Sequence, residues 1–323
     1  MADDRSPGNR LEQWVSIGAT IVAPVTVVSA VLFYFGYVSS TSEFTYFGVD
    51  VDTIGLSTQD YIMRSPQTLL VPLLVFLLAS AGFLALHIAV QGRIAVAVTQ
   101  PADEADPADP DADSARRVER IRQMAQRSRL LGLAILTVGV ILLFTYSYVR
   151  DWALYGLVTP LLIGLGAAII AYVSRVLGLL RRAEKPNTAQ AAHADGVLLA
   201  RRIAGVLIYV VLAASIFWAT ATVAQWSGRG LAMYDAGHFG DLPSVILDTK
   251  ERLFLRDPGI EETLLPPSEG QTFHYRYRGL RLLIEGQDRM FLVPDQWSAS
   301  DSTLIVPLDG SVRVQFQFEN QPP

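Results

Sequence analysis

The chain has 323 residues, a net charge of −5 and no cysteine. The acidic balance argues against nucleic-acid binding, which needs a basic face. The absence of thiols excludes disulfides, thiolate metal ligands and a cysteine nucleophile. Charged residues make up 18% of the chain, below the roughly 25% of soluble domains. This deficit is concentrated in a few uncharged stretches, which indicates an integral membrane protein.

Five stretches lack Asp, Glu, Lys and Arg, and each has the roughly 20 apolar residues that a spanning helix needs. They are residues 13–42, 65–92, 130–149, 152–174 and 203–228. We predict an all-α bundle of five transmembrane helices at about 14–38, 67–91, 130–149, 153–175 and 203–226. Only Arg150 and Asp151 separate the third and fourth stretches, which favours a helical hairpin. A bundle of four spans would need one re-entrant stretch.

The charges between the spans predict their orientation. The first apolar run is too long for a cleavable signal peptide, so we expect it to be retained as the first span. Fifteen Arg and Lys residues lie in the N-terminal tail 1–12 and the segments 91–129 and 175–202. Only Arg64 and Arg150 lie between spans on the other side. Because basic loops stay in the cytoplasm, we predict a cytoplasmic N-terminus and an extracytoplasmic C-terminal domain.

The long cytoplasmic loop has an acidic part and a basic part. Residues 99–115 are rich in Asp, Pro and Ala, and we predict that they are disordered. Residues 116–129 form a basic helical pattern that leads into the third span, and such helices bind the anionic inner leaflet. The alternative is that these charges only set the topology. The candidate lipid-binding residues are Arg116, Arg117, Arg120 and Arg122.

The first outer loop, residues 39–64, is rich in aromatic side chains. Phe44, Tyr46 and Phe47 predict that the loop packs on the membrane surface or against the C-terminal domain, and they are candidates for binding a partner. Ser57 and Asp60 have the spacing of a capping box, which predicts a helix that starts at Thr58. Pro66 would break or kink that helix.

Short strand patterns fill the C-terminal region, residues 229–323. Its alternating aromatic residues include Tyr275 and Tyr277, which are further candidates for partner binding. We predict a small C-terminal β-sandwich or barrel-like domain of five to seven strands. The predicted strands are 272–278, 280–285, 289–293, 303–306 and 311–318, with a further pair at 245–247 and 253–255.

Catalytic and metal-binding patterns are absent from the sequence. His87 is the one ionisable side chain within a span, and a local hydrogen bond explains it as well as a functional role does. Asp50 and Asp52 supply two carboxylates, fewer than the six to eight oxygens that calcium prefers. We therefore expect no enzyme activity, no catalytic residue, no metal and no cofactor.

Small residues recur at intervals of four within two spans, a spacing that lets helices approach closely. They serve packing within the bundle or self-association. The candidate helix-packing residues are Ala81, Ala85, Ala89, Gly164 and Ala168.

Two longer segments carry a resemblance. YFGVDVDTIGLSTQDYIMRS (46–65) and GLRLLIEGQDRMFLVPDQWS (279–298), together with the loops rich in Ala, Arg and Asp, resemble uncharacterised multi-pass membrane proteins of actinobacteria. This resemblance implies a bacterial cytoplasmic membrane and an outward-facing domain, and it implies no activity.

These observations favour recognition over catalysis. We expect a non-enzymatic protein of the cell envelope, receptor- or sensor-like, that binds an envelope partner through the β domain and the first outer loop. The alternative is a homo-oligomeric channel or passive transporter with an uncharged pore, and a third possibility is a membrane subunit of a larger complex. The expected partners are the lipid bilayer, an envelope protein or a second copy, and no nucleic acid.

Overall fold

The computed structural model describes residues 7–99, 110–149, 151–184, 194–298 and 301–317. The chain divides into two compact units. The sheet unit comprises Met1–Leu70 and Ala224–Pro323, and the hairpin unit comprises Val71–Val223. The sheet unit therefore joins the first outer loop and the C-terminal region, which are far apart in sequence.

Seven α-helices and one short 3₁₀ helix are described, and five of the α-helices are long and apolar enough to cross a membrane. The prediction of five apolar helices of spanning length is therefore confirmed. Their candidate spans are Ala23–Tyr46, Thr58–Gly92, Arg122–Phe144, Tyr155–Gly178 and Arg202–Gly237. The helices are α1 (Pro7–Tyr46), α2 (Val51–Ile54), α3 (Thr58–Thr99), α4 (Pro110–Phe144), α5 (Tyr146–Val149), α6 (Tyr155–Glu184) and α7 (Ala194–Gly237).

The helices extend beyond the uncharged stretches. α3 begins at Thr58, as predicted, and continues without a break past Pro66. Residues 110–115, which we expected to be disordered, belong to the start of α4, and residues 100–109 lie outside the described residues. Pro110 suits the first helical position because its missing N–H has no helical partner there. The basic segment 116–129 belongs to α4, which continues without a break into its apolar part, as expected.

In the hairpin unit, α4 and α6 form the predicted helical hairpin. Glycines allow close approach of the two backbones: a Cβ on Gly139 would lie 2.8 Å from Ile163 Cγ1, and a Cβ on Gly166 would lie 2.7 Å from the backbone N of Leu136. Small residues at a helix contact let two helices approach closely.

α6 also contacts the part of α7 that belongs to the hairpin unit. The Thr222 hydroxyl donates to the Gly156 carbonyl at 2.8 Å, and a Cβ on Gly164 would lie 3.1 Å from Ser215 Cβ. One predicted packing residue, Gly164, therefore lies at a helix contact within the chain.

Six strands form one antiparallel sheet in the order β5-β4-β3-β1-β6, with β2 paired to β3. This confirms an antiparallel sheet domain. The described strands form one connected sheet rather than the two stacked sheets of a sandwich, and β5 does not pair with β6 to close a barrel. The strands are β1 (Ser244–Thr249), β2 (Glu261–Leu264), β3 (Tyr275–Glu285), β4 (Arg289–Pro294), β5 (Leu304–Pro307) and β6 (Val312–Gln317).

Two details of the strand prediction differ from the structure. The predicted strands 272–278 and 280–285 are one strand, β3, which passes through Gly279 at a φ of 78°. Glycine is needed there because a Cβ would lie 2.1 Å from the Gly259 carbonyl oxygen. Residues 253–255 are not a strand, and the exposed strand β2 takes their place beside β3.

β4 is buried on both faces. Met290 and Leu292 point into a core formed by the sheet and its loops, whereas Phe291 and Val293 point to the opposite face. Alternate side chains of a strand point to opposite faces, so each face of the sheet has its own core. The first core contains Val245, Leu247, Tyr277, Leu280, Met290, Leu292 and Val306.

The opposite face of the sheet packs against the first outer loop, as the aromatic content of that loop predicted. Phe291 and Ile284 of the sheet share a core with Phe44, Val51 and Ile54. The contact is close, since a Cβ on Gly286 would lie 2.1 Å from the Ile54 carbonyl oxygen. The Thr303 hydroxyl also donates to the Phe47 carbonyl at 2.8 Å. The loop is therefore an integral part of the sheet unit.

Candidate binding pocket

The segment between α1 and α3 is shaped by two local caps. Asp50 caps α2, and its carboxylate accepts from the N–H of Asp52 at 3.1 Å. Ser57 and Asp60 form the predicted capping box: the Ser57 N–H donates to the Asp60 carboxylate at 2.8 Å, and the Asp60 N–H donates to the Ser57 hydroxyl at 3.2 Å. Gly55 ends α2 in the left-handed region, with a φ of 75°.

These turns border an open pocket of about 240 Å³ between α1, α2 and the first turns of α3. The volume lies below the roughly 300–1,000 Å³ of sites that take a whole drug-sized ligand. The cavity therefore fits a small molecule or one chemical group of a larger molecule. Its lining residues are Phe33, Tyr37, Asp52, Gly55, Leu56, Thr58 and Tyr61.

Three aromatic rings form a corner of this pocket. The Tyr61 ring stands nearly perpendicular to the Phe33 ring, with the ring centroids 5.4 Å apart. Tyr37 lies 5.5 Å from Tyr61 and 6.2 Å from Phe33, and it is stacked on Phe33. The rings come from adjacent turns of α1 and from the start of α3, because positions four apart lie on one face of a helix.

Asp52 is the only formally charged residue that lines the pocket. It is exposed, and no Lys or Arg among the described residues forms a salt bridge with it. Tyr37, Thr58 and Tyr61 contribute hydroxyl groups. The pocket therefore combines aromatic rings with one negative charge.

A polar seam also joins α1 to α3. Glu43 is buried, and its carboxylate accepts from the Arg64 guanidinium at 3.0 Å. The same guanidinium lies 5.2 Å from the centre of the Phe44 ring. The Thr68 hydroxyl donates to the buried Ser39 hydroxyl at 3.2 Å. These contacts hold in place the two helices that carry the aromatic rings.

Glycines bring α1, α3 and α7 together in the sheet unit. A Cβ on Gly36 would lie 1.9 Å from the Tyr61 carbonyl oxygen, and one on Gly228 would lie 2.0 Å from the Ser39 carbonyl oxygen. Ala224 and Ala232, which precede and follow Gly228 by four residues, are fully buried. This repeat of small residues was not predicted, although its spacing of four is the same as that of the repeats predicted to pack in other helices.

A buried ion cluster lies on the sheet away from the pocket. Asp248 is 0% exposed and accepts from Arg276 Nε at 2.8 Å and from Arg313 Nε at 3.0 Å. Hydrogen bonding from Arg276, supported by Arg313, holds the pKa of Asp248 below its ordinary value. Its partners come from β3 and β6, the strands on either side of β1, so the cluster joins three strands.

The aromatic residues proposed to bind a partner lie in different environments. Phe44, Phe47 and Tyr277 are 1%, 3% and 0% exposed, so these side chains form part of the internal cores. Burial raises the pKa of Tyr277, and its hydroxyl accepts from the Leu253 N–H. Tyr46 is 36% exposed and Tyr275 is partly buried, so Tyr46 presents the most accessible ring.

The remaining predicted residues lie apart from the pocket. Ala81, Ala85 and Ala89 are exposed on α3, whereas Ala168 is partly buried on α6. Arg120 and Arg122 are exposed on α4, and the side chains of Arg116 and Arg117 lie outside the described part of the chain.

His87 and the Asp50–Asp52 pair show no metal-site geometry. His87 stacks on Phe83 and lies 5.8 Å from the Tyr172 ring. Its Nδ1 is buried and has no hydrogen-bond partner among the described residues. Within the described residues, no group of three or more His, Cys, Asp or Glu side chains could hold a metal ion.

Comparisons with protein-family models, with curated proteins and with solved structures found no match to this chain.

Proposed function

We propose that this chain is a non-enzymatic, receptor- or sensor-like integral membrane protein of the cell envelope. Its sheet unit recognises a partner, and the first outer loop is part of the recognising structure. The core shared by Phe44, Val51, Ile54, Ile284 and Phe291 carries this proposal. Because the sheet packs directly on the loop that joins α1 to α3, a ligand on the sheet acts on the ends of two candidate spans.

The sheet unit also presents apolar side chains to a partner. Phe254 is 69% exposed, and its φ of 53° lies in the left-handed region that bulky residues avoid. Arg252 lies over its ring at 5.0 Å. Leu264 on β2 is also exposed. A strained, exposed aromatic residue is favoured as a contact site, since backbone strain concentrates where residues bind ligands.

The proposed location is a bacterial cytoplasmic membrane, with the N-terminus in the cytoplasm and the sheet outside. The Arg and Lys bias of the loops supports this orientation. Protease added to intact spheroplasts should cleave within 229–323 and spare 99–115. The reverse pattern would overturn the orientation.

Partner recognition is tested by photo-crosslinking in cells, with a photoreactive residue at Phe254 or Leu264 and a matched control at Leu77 on α3. We expect a discrete cross-linked product at the two sheet positions and lipid adducts alone at Leu77. If the sheet positions give no product that the control lacks, the proposed recognition surface is wrong.

A homo-oligomeric channel or passive transporter is the second candidate. It is favoured by the exposed Ala81, Ala85 and Ala89 on α3, whose most apolar window has no buried residue. Counting subunits in detergent separates the two candidates. A closed ring with a continuous pore supports the channel, whereas a monomer without a path through it supports recognition.

A further inference from the structure

We propose that the pocket between α1, α2 and α3 binds an alkylammonium group, carried either by a lipid headgroup or by a small soluble amine. This inference rests on the proposed recognition role and names the chemical class of one ligand. Three features of the pocket support it: its aromatic corner, its single carboxylate and its lining by two candidate spans and the segment between them.

The aromatic corner provides the attraction. Phe33, Tyr37 and Tyr61 contact one another and line the same cavity. The face of an aromatic ring carries negative electrostatic potential, which attracts a cation within about 6 Å of the ring centre. Several rings at steep angles present more than one such face to a compact cation, an arrangement that binds quaternary ammonium groups.

The charge of the lining selects a cation and disfavours an anion. Asp52 supplies one carboxylate, and no Lys, Arg or His lines the cavity. A metal ion fits less well, since calcium takes six to eight oxygen ligands and magnesium requires an octahedral set. An alkylammonium group needs fewer oxygens because its carbon-bound hydrogens contact the rings.

Size and position narrow the ligand further. A cavity of about 240 Å³ accommodates an ammonium headgroup but not a peptide or a nucleotide. Phe33 and Tyr37 lie in the candidate span Ala23–Tyr46, and Asp52 lies in the segment between the first two spans. Thr58 and Tyr61 begin the candidate span Thr58–Gly92, so part of the lining stands where polar chain meets an apolar helix, as is typical at the level of lipid headgroups.

The test uses the full chain in nanodiscs of phosphatidylglycerol, with choline as the probe and calorimetry as the readout. We expect choline to bind and its neutral isostere, 3,3-dimethylbutan-1-ol, to bind at least about tenfold more weakly, as the loss of a cation–π and carboxylate interaction predicts. Equal binding of the two probes would overturn the inference, because a simple apolar cavity would explain it.

Three variants test the residues. Asp52→Asn should weaken choline binding about tenfold, as loss of a charge-assisted contact predicts, whereas Glu269→Gln, an exposed carboxylate on a distant loop, should leave it unchanged. Tyr37→Leu should weaken binding roughly 3- to 30-fold, and Tyr37→Phe, which keeps the ring, should retain most of it. Thermal melting of each variant separates loss of binding from loss of folding. If all variants bind like the parent chain, the pocket is not the site.

The lipid composition distinguishes the two sources of the amine. If a lipid headgroup occupies the pocket, phosphatidylethanolamine added to the nanodiscs should weaken choline binding. Native mass spectrometry should then show that the protein retains phosphatidylethanolamine in preference to phosphatidylglycerol. Choline binding that is unaffected by this lipid supports a soluble amine. Absence of both choline binding and selective lipid retention overturns the inference. If cross-links at Phe254 persist in that case, the proposed recognition role stands by itself.

Discussion

Replacing Asp248 with asparagine removes the negative charge that joins β3, β1 and β6. The carboxylate accepts from both Nε and Nη2 of Arg276, at 2.8 and 3.1 Å, and from Nε of Arg313 at 3.0 Å. An asparagine offers one oxygen, and its NH₂ group points donors at guanidinium donors. The substitution thus leaves two arginines without their counter-charge.

The size of the effect follows from burial. Breaking a fully buried ion pair costs about 3–5 kcal/mol. Asp248 has 0% side-chain exposure, but the Arg276 and Arg313 side chains are 25% and 47% exposed, so water solvates them once the carboxylate is lost. Solvent screening of the arginines makes the loss smaller than for a fully buried ion pair. We therefore expect the local free energy of unfolding to fall by about 2–3 kcal/mol. This equals a roughly 30- to 160-fold change in an opening equilibrium.

Hydrogen exchange measured by mass spectrometry on the full chain in detergent reports this change locally. Amide protection in β1, β3 and β6 should fall by that factor, while protection in α4 and α6 should stay the same. Asp288→Asn is the matched control, because Asp288 pairs with Arg289 at an exposed hairpin turn. A change below threefold at β1, or an equal change in the control, would refute the proposed role of the ion cluster.

The same cluster predicts a pH dependence. The folded-state pKa of Asp248 is lowered, chiefly by the hydrogen bond from Arg276 and further by Arg313. The unfolded chain holds this carboxyl near about 3.9. Its stabilising contribution is therefore complete above that value and is lost as the pH falls through the lower folded-state pKa. In Asp248→Asn, the acid-induced loss of β1 protection below about pH 4 should be smaller than in the parent chain.

Three further substitutions, two of them with a matched control, test a close helix contact, a helix cap and backbone strain by unfolding in detergent. Gly228→Ala should destabilise the chain by about 1–3 kcal/mol because the new Cβ meets a backbone carbonyl. The control Gly230→Ala, where the Cβ faces open space, should stabilise the chain by up to about 1 kcal/mol. Equal effects of the two substitutions would contradict the close helix contact. Ser57→Ala should cost about 1 kcal/mol by removing the cap of α3, and an unchanged midpoint would show that the cap is dispensable. Phe254→Gly should raise the free energy of unfolding by about 0.5 kcal/mol, since relief of left-handed backbone strain exceeds the entropy cost of glycine. The control Leu253→Gly should lower the free energy of unfolding. A lower free energy of unfolding in both variants would argue against strain at Phe254.

Local patterns in the sequence predict much of the fold. The five apolar helices follow from uncharged length, and the start of α3 follows from the spacing of Ser57 and Asp60, because both signals act within a few residues. Five of the six strands overlap strands predicted from the sequence. β2 was missed because all four of its residues are exposed and show no apolar alternation.

The pocket and the shared core depend on contacts between distant residues, which a single sequence does not display. Phe44, Phe47 and Tyr277 have the composition of a binding surface, yet the sheet and loop bury them against each other. The rings of Phe33 and Tyr37 lie within an apolar run, where they resemble ordinary span residues. Only the fold of the 50–61 segment brings Asp52 and Tyr61 beside them.

The core that joins the first outer loop to the sheet has a consequence for synthesis. The hydrogen bond from Thr303 to Phe47 links residues 256 positions apart. At a rate of synthesis of about 5–20 residues per second, Thr303 is therefore made roughly 13–50 seconds after Phe47. Until then, Phe44, Val51 and Ile54 have no sheet to cover them. The nascent chain therefore carries an uncovered apolar loop while four more candidate spans are made, and the last strands complete a structure that the first helix began.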